Sequence, residues 1–324
     1  MNDTLADHLA KIKAQSTHKF DESLYLYVLL ALLLRRGHLL VHVRTDHDKH
    51  AIANITAEID WICRALFGLT PDALDLSAPN ASDRSRELFS RGSSSEQTCQ
   101  AEIAIVSHAE SLKTAQVQDL LSNLRDHDRA ESNDERRPKL LCIFVVGISA
   151  TIMRSSDEFY NLNRYIVDRC ALGLTATARP QTATNMATSQ LPHLDFAVLS
   201  RMEEKAKAIY TSLEVMTYIS DLLSAVRYNQ LLDGRMVSNR CNRHVIRHAA
   251  TLLAIITEPK VDALTPKHIR AIFPAMITHR LAPRAKHKDI LVSWTEPALR
   301  EAHLGEPITN AQISLVLQDL LNLV

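Results

Sequence analysis

The sequence predicts an α/β protein in which helices cover both faces of a parallel sheet, followed by a region that is nearly all helix. Up to about residue 176, apolar and β-branched runs such as KLLCIFVVGI (139–148) alternate with helical segments, as in a parallel sheet buried between helices. Beyond that point the apolar residues recur at helical spacing. The 324 residues, 46% of them hydrophobic, suffice for a main domain and a smaller one.

Strands and helices are predicted to alternate in the first half of the chain. Residues 23–36 should be helical, 38–43 should form a strand, and 51–67 should form a helix because isoleucines recur there at helical spacing. AEIAIVSHAESL (101–112) predicts a further strand, and TAQVQDLLSNLRDH (114–127) predicts an amphipathic helix.

Two polar stretches in this half are expected to be surface loops. Residues 70–98 are rich in Ser, Asp, Pro and Asn, and DHDRAESNDERRP (126–138) is highly charged. We expect five regions along the chain: a polar N-terminal segment (1–22), an αβα core (23–176), a Thr-, Ala- and Pro-rich linker (177–193), a helical region (194–290), and a tail with a terminal helix (291–324).

Composition limits the classes of function. The 37 basic and 37 acidic residues cancel, so nothing in the overall charge favours nucleic acid or an anionic membrane as a partner. Five scattered cysteines without a CxxC pair indicate buried free thiols in a reducing compartment. The longest apolar run (24–34) ends at Arg35 and Arg36 after about a dozen residues, too short to cross a bilayer. We expect a soluble protein without a membrane span, located inside the cell and in the cytoplasm.

The stretch HLLVHVRTDHDKHAIANI (38–55) has the layout of a phosphate-binding loop: a strand, a polar loop, a lysine and then a helix. Such loops depend on glycine, and this chain has only seven glycines, where average usage of about 7% would give roughly three times as many. No two of them lie within 20 residues of each other, so neither GxxxxGK[ST] nor GxGxxG occurs. A standard nucleotide-binding loop is excluded.

Several segments resemble one family. The core contains VQDLLSNL (117–124) and the pair Asp168-Arg169. The helical region contains four elements in the order and spacing of a family lid: Tyr218, Ile219, Leu222 and Arg227; Ser238, Arg240, Ala249 and Ala250; Leu264, Thr265 and Pro266; His279, Arg280 and Leu281. Over roughly residues 24–285 the chain resembles the AAA+ ATPases of the magnesium chelatase I subunit and MoxR group.

The resemblance carries expectations about fold and activity. It implies an AAA+-like three-layer αβα core with a parallel sheet, followed by an all-α lid, which we equate with residues 194–290. It also implies assembly into a homo- or hetero-oligomer with AAA+-type subunits. Active members use ATP and Mg²⁺ to drive insertion of Mg²⁺ into protoporphyrin IX.

The same comparison places degenerate residues at the nucleotide-binding positions. Lys49 matches the loop lysine, but His50 stands in place of the hydroxyl that holds Mg²⁺. Ser107 and His108 stand where the family has an Asp-Glu pair, and Glu110, two residues further on, is not assigned that role. The strand ending in FVVGI also lacks the polar sensor residue. The resemblance therefore implies a member deficient in hydrolysis.

The arginines of the family pattern are retained. Arg169 matches the arginine that points across a subunit junction, and Arg240 matches the lid arginine that reaches the γ-phosphate. Arg240 also begins a basic stripe at helical spacing, which continues with Arg243, His244, Arg247 and His248. This stripe is either a solvated face or a surface that faces a phosphate or a protein partner.

A metal site is a further possibility near the loop. Imidazole and carboxylate ligands that suit Zn²⁺ or another divalent ion occur within nine residues: His42, Asp46, His47, Asp48 and His50. The alternative is a polar surface turn, because a loop fixes no ligand geometry.

Three functions remain open from sequence. The first is a hydrolysis-deficient assembly or regulatory subunit related to the magnesium chelatase I subunit. The second is an active chelatase-like ATPase that uses non-standard residues, including Lys49 and Glu110. The third is an adaptor that binds a protein or nucleic-acid partner through its basic lid helix.

Overall fold

The computed structural model describes residues 12, 14, 20–34, 37–45, 48, 50–78, 81–90, 101–133, 139–148, 162–177, 194, 196–229, 231–234, 237, 243–258, 260–283 and 310–323. The strands are β1 (His38–Arg44), β2 (Asp72–Asp75), β3 (Ala101–Ser107), β4 (Lys139–Ile148), β5 (Cys170–Ala176), β6 (Leu232–Asp233) and β7 (Ala282–Pro283). The helices of the core are α1 (Glu22–Leu34), α2 (Ala51–Trp61), α3 (Ala81–Ser90), α4 (Thr114–Asn133) and α5 (Arg164–Arg169). Those that follow are α6 (Phe196–Ala208), α7 (Leu213–Tyr228), α8 (Arg243–Thr257), α9 (Pro266–Ile277) and α10 (Asn310–Leu323).

The first five strands form one parallel sheet in the order β2-β3-β4-β1-β5. The most apolar segment, β4, lies at its centre, as the sequence predicts. Since all five strands run in the same direction, the carboxyl ends of β1, β3 and β4 meet at one edge. Arg44 pairs with Ile148 there, and Ser107 pairs with Val145.

Each face of the sheet carries its own apolar cluster. Leu40, Phe144 and their neighbours pack against α4 and α5 on one face. Leu39, Ile143 and their neighbours pack against α1 and α2 on the other. The sheet therefore lies between two helical layers, and the predicted three-layer α/β fold is confirmed. The second cluster also includes buried residues of the lid, so lid and core share one apolar interior.

The two predicted surface loops are partly wrong. Residues 70–98 contain β2 and α3. The sequence signal for β2 is weak because this edge strand buries only Leu74 and exposes two aspartates. The charged stretch at 126–138 begins as helix, because α4 continues to Asn133. Arg, Ala and Glu favour a helix even where no apolar face requires one.

The lid contains the predicted helices. Pro266 is the first residue of α9, and Thr265 is its N-cap. His268 takes the place of glutamate in the capping box, because its Nδ1 accepts a hydrogen bond from the Thr265 backbone N–H at 3.2 Å. The terminal helix is confirmed as α10. The linker lies almost wholly outside the described residues, as does most of the N-terminal segment.

Three of the five cysteines lie in the described part of the chain. Cys63, Cys142 and Cys170 are buried free thiols, as predicted, whereas Cys99 and Cys241 lie outside it. None of the described helices combines the length and the hydrophobicity that a membrane span requires.

Candidate functional site

The carboxyl edge of the sheet is the candidate site, because open parallel sheets bind ligands there. The loop after β1 begins at Thr45, whose backbone N–H donates to the carbonyl of Ile148 at 3.1 Å. The Thr45 hydroxyl lies 3.4 Å from the same carbonyl. The base of the loop is therefore attached to the end of β4.

Asp48 precedes α2, two residues before the N-cap His50. One carboxylate oxygen of Asp48 accepts from the His50 backbone N–H at 2.7 Å, and the other accepts from the Asn54 side-chain amide at 3.2 Å. The Asp48 carbonyl accepts from the Ala51 N–H at 3.2 Å. The amino end of a helix carries partial positive charge and attracts anions such as phosphate. In this chain a carboxylate of the loop itself lies at that position. Lys49, Asp46 and His47 lie outside the described residues.

The residues after β3 form a sharp turn. Ser107 is buried, and its carbonyl accepts from the Leu76 N–H at 3.0 Å. His108 adopts a left-handed conformation with a φ of 60°, and its backbone N–H donates to the Val145 carbonyl at 3.2 Å. Neither side chain supplies a carboxylate. The left-handed turn at His108 leads into a short 3₁₀ helix, Ala109–Ser111.

This turn brings Glu110 back to the end of the central strand. One carboxylate oxygen of Glu110 accepts from the Gly147 N–H at 3.3 Å and lies 3.5 Å from Nδ1 of His108. Its other oxygen is buried and has no hydrogen-bond partner among the described residues. A Cβ at Gly147 would lie 3.4 Å from the Glu110 carboxylate and 3.1 Å from the Thr45 side chain. Glu110 therefore lies between the ends of β3 and β4 and the base of the loop.

Glu110 is displaced by two residues from the position of the family's carboxylate pair, so the resemblance assigns it no role. One feature of the sequence points to Glu110 at this edge of the sheet: it is a glutamate within three residues of the carboxyl end of a predicted buried strand.

The candidate metal ligands are only partly described. His42 is mostly buried in β1, and this burial lowers its pKa to about 4, so the imidazole is neutral at physiological pH. His50 is exposed at the start of α2. Among the described residues, no three His, Cys, Asp or Glu side chains are grouped so that they could hold a metal ion.

Arg169 lies at the far edge of the sheet. It ends α5 and directly precedes β5, whose first residue, Cys170, pairs with His38 at the amino end of β1. Arg169 is therefore separated from the loop after β1 by the length of the sheet. It is also buried, with a relative exposure of 8%. Arg240 lies outside the described residues.

The basic stripe lies on the outer face of α8. Arg243, His244 and Arg247 are exposed, while Ile246 and Ala250 on the opposite face are buried in the lid. In the isolated chain, these three positions are accessible to solvent and to a partner.

The lid and the core meet at two of the elements that resemble the family. Arg280 donates to the Asp168 carboxylate at 3.0 Å and to the backbone carbonyl of Asp168 at 3.2 Å. It also donates to the Cys170 carbonyl at 2.7 Å. Nε2 of His279 lies 3.0 Å from that carbonyl. Burial and the charge of Arg280 hold the pKa of His279 well below its usual value. The sequence identified both segments but not their contact.

The chain resembles a solved structure over nearly its whole length. The crystal structure of a protein from Cytophaga hutchinsonii, described as a "putative ATPase", matches it with a TM-score of 0.61 and 11% identity, covering 99% of this chain and 94% of that one. This likeness shows that the two chains share a fold, in which a parallel sheet lies between helices and further helices follow.

Other comparisons are weaker. The FIGL-1 AAA domain in complex with ADP matches with a TM-score of 0.28 and 14% identity over 69% of this chain and 73% of that one. Another crystal structure of the FIGL-1 AAA domain matches with a TM-score of 0.32 and 8% identity over 84% and 90%. No family model and no curated protein matches the sequence.

Proposed function

We propose that this chain is a hydrolysis-deficient relative of the magnesium chelatase I subunit, which acts as an assembly or regulatory subunit among AAA+-type subunits. The observation that carries the proposal is the position of Asp48. Its carboxylate lies 2.7 Å from the His50 N–H at the start of α2, where a bound nucleotide would place a phosphate. Two anions at one helix terminus repel each other, so Asp48 disfavours nucleotide binding.

The residues at the end of β3 support the same proposal. Active phosphoryl-transfer sites need a carboxylate to hold Mg²⁺ and a residue that orients the attacking water. Ser107 and His108 supply neither of these groups. Hydrolysis would then lack its metal ligand as well as its phosphate cradle, and loss of one such group commonly costs about 10²–10³ in rate.

Arg169 and the basic stripe are the proposed means of assembly. Arg169 lies at the edge of the sheet opposite the loop after β1, so it has no access to a nucleotide in its own chain. In the family that it resembles, this arginine completes the site of a neighbour. Arg243 and Arg247 are exposed on α8 and offer planar, bidentate donors to a carboxylate or a phosphate of a partner. Core (23–176) and lid (194–290) are the proposed functional units.

The test of the nucleotide proposal is a pair of measurements on the full chain. We expect ATP hydrolysis no faster than in Lys49→Ala, and no rise in melting temperature on titration with Mg-ATP. A ligand at about 100 times its dissociation constant adds roughly 2.7 kcal/mol of stability, so binding would be readily detected. Turnover that depends on both Mg²⁺ and Lys49 contradicts the proposal.

The test of assembly uses tagged wild-type chain and the triple variant Arg169→Ala, Arg240→Ala, Arg247→Ala. We expect the wild type to form an oligomer or to copurify with AAA+-type subunits at moderate salt, and the variant to lose this association. The two samples are compared by sedimentation and by mass spectrometry of the recovered complexes. A wild type that is a monodisperse monomer without partners, or a variant that assembles unchanged, contradicts the assembly role.

A second candidate function is an active ATPase with non-standard residues, which would use ATP and Mg²⁺. Glu110 favours it, because one buried carboxylate oxygen without a described partner lies at the carboxyl edge of the sheet beside Thr45. In that case Glu110 would hold Mg²⁺ or orient water, and Lys49 would contact phosphate. Glu110→Gln would then abolish a measurable turnover.

The exposed face of α8 favours a third candidate. Arg243, His244 and Arg247 would there bind an acidic protein or nucleic-acid partner without any nucleotide. Association that survives Arg169→Ala but is lost in Arg243→Ala with Arg247→Ala would favour this adaptor role.

A further inference from the structure

Arg280 binds the segment that contains Arg169. It is almost completely buried, with 1% relative exposure, although it carries a full charge. Its guanidinium donates to the Asp168 side chain at 3.0 Å, to the Asp168 carbonyl at 3.2 Å and to the Cys170 carbonyl at 2.7 Å. The lid therefore holds the residues on either side of Arg169.

A second lid residue strengthens this contact. His279 lies 3.0 Å from the Cys170 carbonyl and also packs directly on β5 at Gly173. The Asp168 side chain is 30% exposed, so a partly solvated carboxylate pairs with the buried guanidinium of Arg280. Burial of one charge is tolerated only when it is paired and hydrogen-bonded, so these bonds stabilise a single position of the lid on this segment.

The core restricts the same segment from the other side. Gly37, between α1 and β1, has a φ of +86°, and a Cβ there would lie 3.1 Å from the Arg169 carbonyl and 2.8 Å from the Ala171 Cβ. The backbone around Arg169 is thus packed between Gly37 and the lid turn that carries Arg280.

This geometry conflicts with a junction role for Arg169 in the position described. An arginine that reaches a neighbouring subunit must expose its guanidinium, whereas Arg169 is 8% exposed. Arg280 bonds to the backbone on both sides of Arg169, so the lid turn fixes the segment from which this side chain extends.

We propose that Arg280 and Asp168 form a latch by which the lid keeps Arg169 buried, so that release of the lid turn makes Arg169 available to a partner subunit. Arg280 is thus a positioning residue, acting on Arg169 through the backbone of residues 168 and 170. The latch deepens the proposed function and rests on it for the existence of a partner subunit. The exposure of Arg169 can be measured in the absence of any partner.

The experiment measures the rate at which phenylglyoxal, an arginine-specific dicarbonyl, modifies individual arginines of the full chain, by peptide mass spectrometry. Arg164 lies five residues before Arg169, is exposed, and serves as the internal reference. In the wild type we expect Arg169 to react far more slowly than Arg164. In Arg280→Lys the reaction at Arg169 should become about tenfold faster. This factor corresponds to the loss of one charge-assisted hydrogen bond, provided that local opening of the segment limits the reaction. The rate at Arg164 should not change.

Two further variants separate the latch from a general loss of stability. Asp168→Asn removes the exposed half of the ion pair, leaves both carbonyl contacts of Arg280 in place, and should raise the Arg169 rate by a smaller factor. Arg227→Lys is the matched control. Arg227 also donates two hydrogen bonds to one backbone carbonyl, that of Val237, at 3.1 and 2.9 Å, but both residues belong to the lid. It should leave the ratio of the Arg169 and Arg164 rates unchanged. The latch is overturned if Arg280→Lys and Arg227→Lys change the ratio of the Arg169 and Arg164 rates equally at matched melting temperatures. It is also overturned if Arg169 is modified fast in the wild type.

Sedimentation of the same variants distinguishes the latch from the assembly role. If Arg280→Lys exposes Arg169 and also changes assembly, both proposals are supported. If Arg169 becomes exposed while assembly is unaltered, the latch stands and the junction role fails. If assembly depends on Arg169 while its exposure does not depend on Arg280, the junction role stands and the latch fails.

Discussion

The imidazole of His279 lies so close to Gly173 that a Cβ at position 173 would be 2.5 Å from Nδ1 and 2.6 Å from Cβ of the histidine. Real Cβ atoms do not approach other atoms this closely, so a side chain at position 173 must displace His279. Because His279 also contacts the Cys170 carbonyl, its displacement would disturb the packing of the lid against β5.

We therefore expect Gly173→Ala to destabilise the protein by about 1–3 kcal/mol, the range for overpacking in a buried site. The free energy of unfolding is measured by urea denaturation. The control is the double variant Gly173→Ala, His279→Ala, since the added methyl group then enters space that the imidazole has left. Relative to His279→Ala alone, the added methyl should be neutral or stabilising, and equal costs in both backgrounds would show that the two residues do not interact.

Asp48 should stabilise α2 through hydrogen bonds and through its charge. Asp48→Ala removes the acceptor for the His50 N–H and the Asn54 amide, and should cost about 1 kcal/mol, the usual net contribution of a hydrogen bond. Asp48→Asn keeps a side-chain oxygen but loses the charge near the helix amino end, and should cost about 0.3–1 kcal/mol at low salt. The difference in stability between wild type and Asp48→Asn should largely disappear at high salt, because the charge of Asp48 in the wild type is then screened. A loss in Asp48→Asn that is independent of salt would contradict the charge contribution.

The sequence predicted most of the fold because the strands and helices that face the interior carry strong apolar patterns. β4, with ten successive strand residues, and α9, with Thr265 and Pro266 at its start, were predicted with nearly correct bounds. β2 was missed because it is an edge strand that buries a single leucine. Local patterns report burial, and β2 gains its place mainly from pairing with β3.

The candidate site was harder to predict because its contacts join residues that are distant in the chain. The chain turns from β3 to Glu110 through a left-handed conformation at His108, which the sequence does not reveal for a histidine, and Glu110 then accepts from the Gly147 N–H. Likewise, the contact of Arg280 with Asp168 spans 112 positions. Motif spacing identified each partner separately but carried no information on the pairing.

Glu110 distinguishes the proposed function from the active alternative. If the chain lacks hydrolysis, Glu110→Gln should leave the background ATP hydrolysis rate unchanged. Glu110→Ala should instead destabilise the protein by about 1–3 kcal/mol, because the hydrogen bond from the Gly147 N–H to this carboxylate is lost. Both variants are assayed for phosphate release with Mg-ATP and for urea denaturation. A fall in turnover of about 10²-fold in Glu110→Gln with unchanged stability would establish a catalytic role instead.

Buried histidines should make the protein less stable in mild acid. Burial lowers the pKa of His42 to about 4, and burial together with Arg280 lowers that of His279 well below its usual value. In the unfolded chain a histidine titrates near pKa 6.5. Between about pH 4 and pH 6.5 the unfolded state therefore binds more protons than the folded state, so the free energy of unfolding rises with pH in this window. The stabilisation is complete above about pH 7.5 and is lost as the pH falls toward 4.

His42→Gln tests the contribution of His42, because it keeps a neutral polar side chain that does not titrate. Each proton difference contributes a slope of about 1.4 kcal/mol per pH unit, so the variant should have a shallower pH dependence than the wild type by up to this amount. The free energy of unfolding is measured by urea denaturation at about pH 4.5, 5.5, 6.5 and 7.5, across the window between the folded and unfolded pKa values of His42. His244→Gln is the matched control, since His244 is exposed on α8 and keeps its contact with water on folding. Parallel curves for wild type and His42→Gln would show that His42 takes up protons equally in both states, and the acid sensitivity would then have to come from His279 or from the carboxylates.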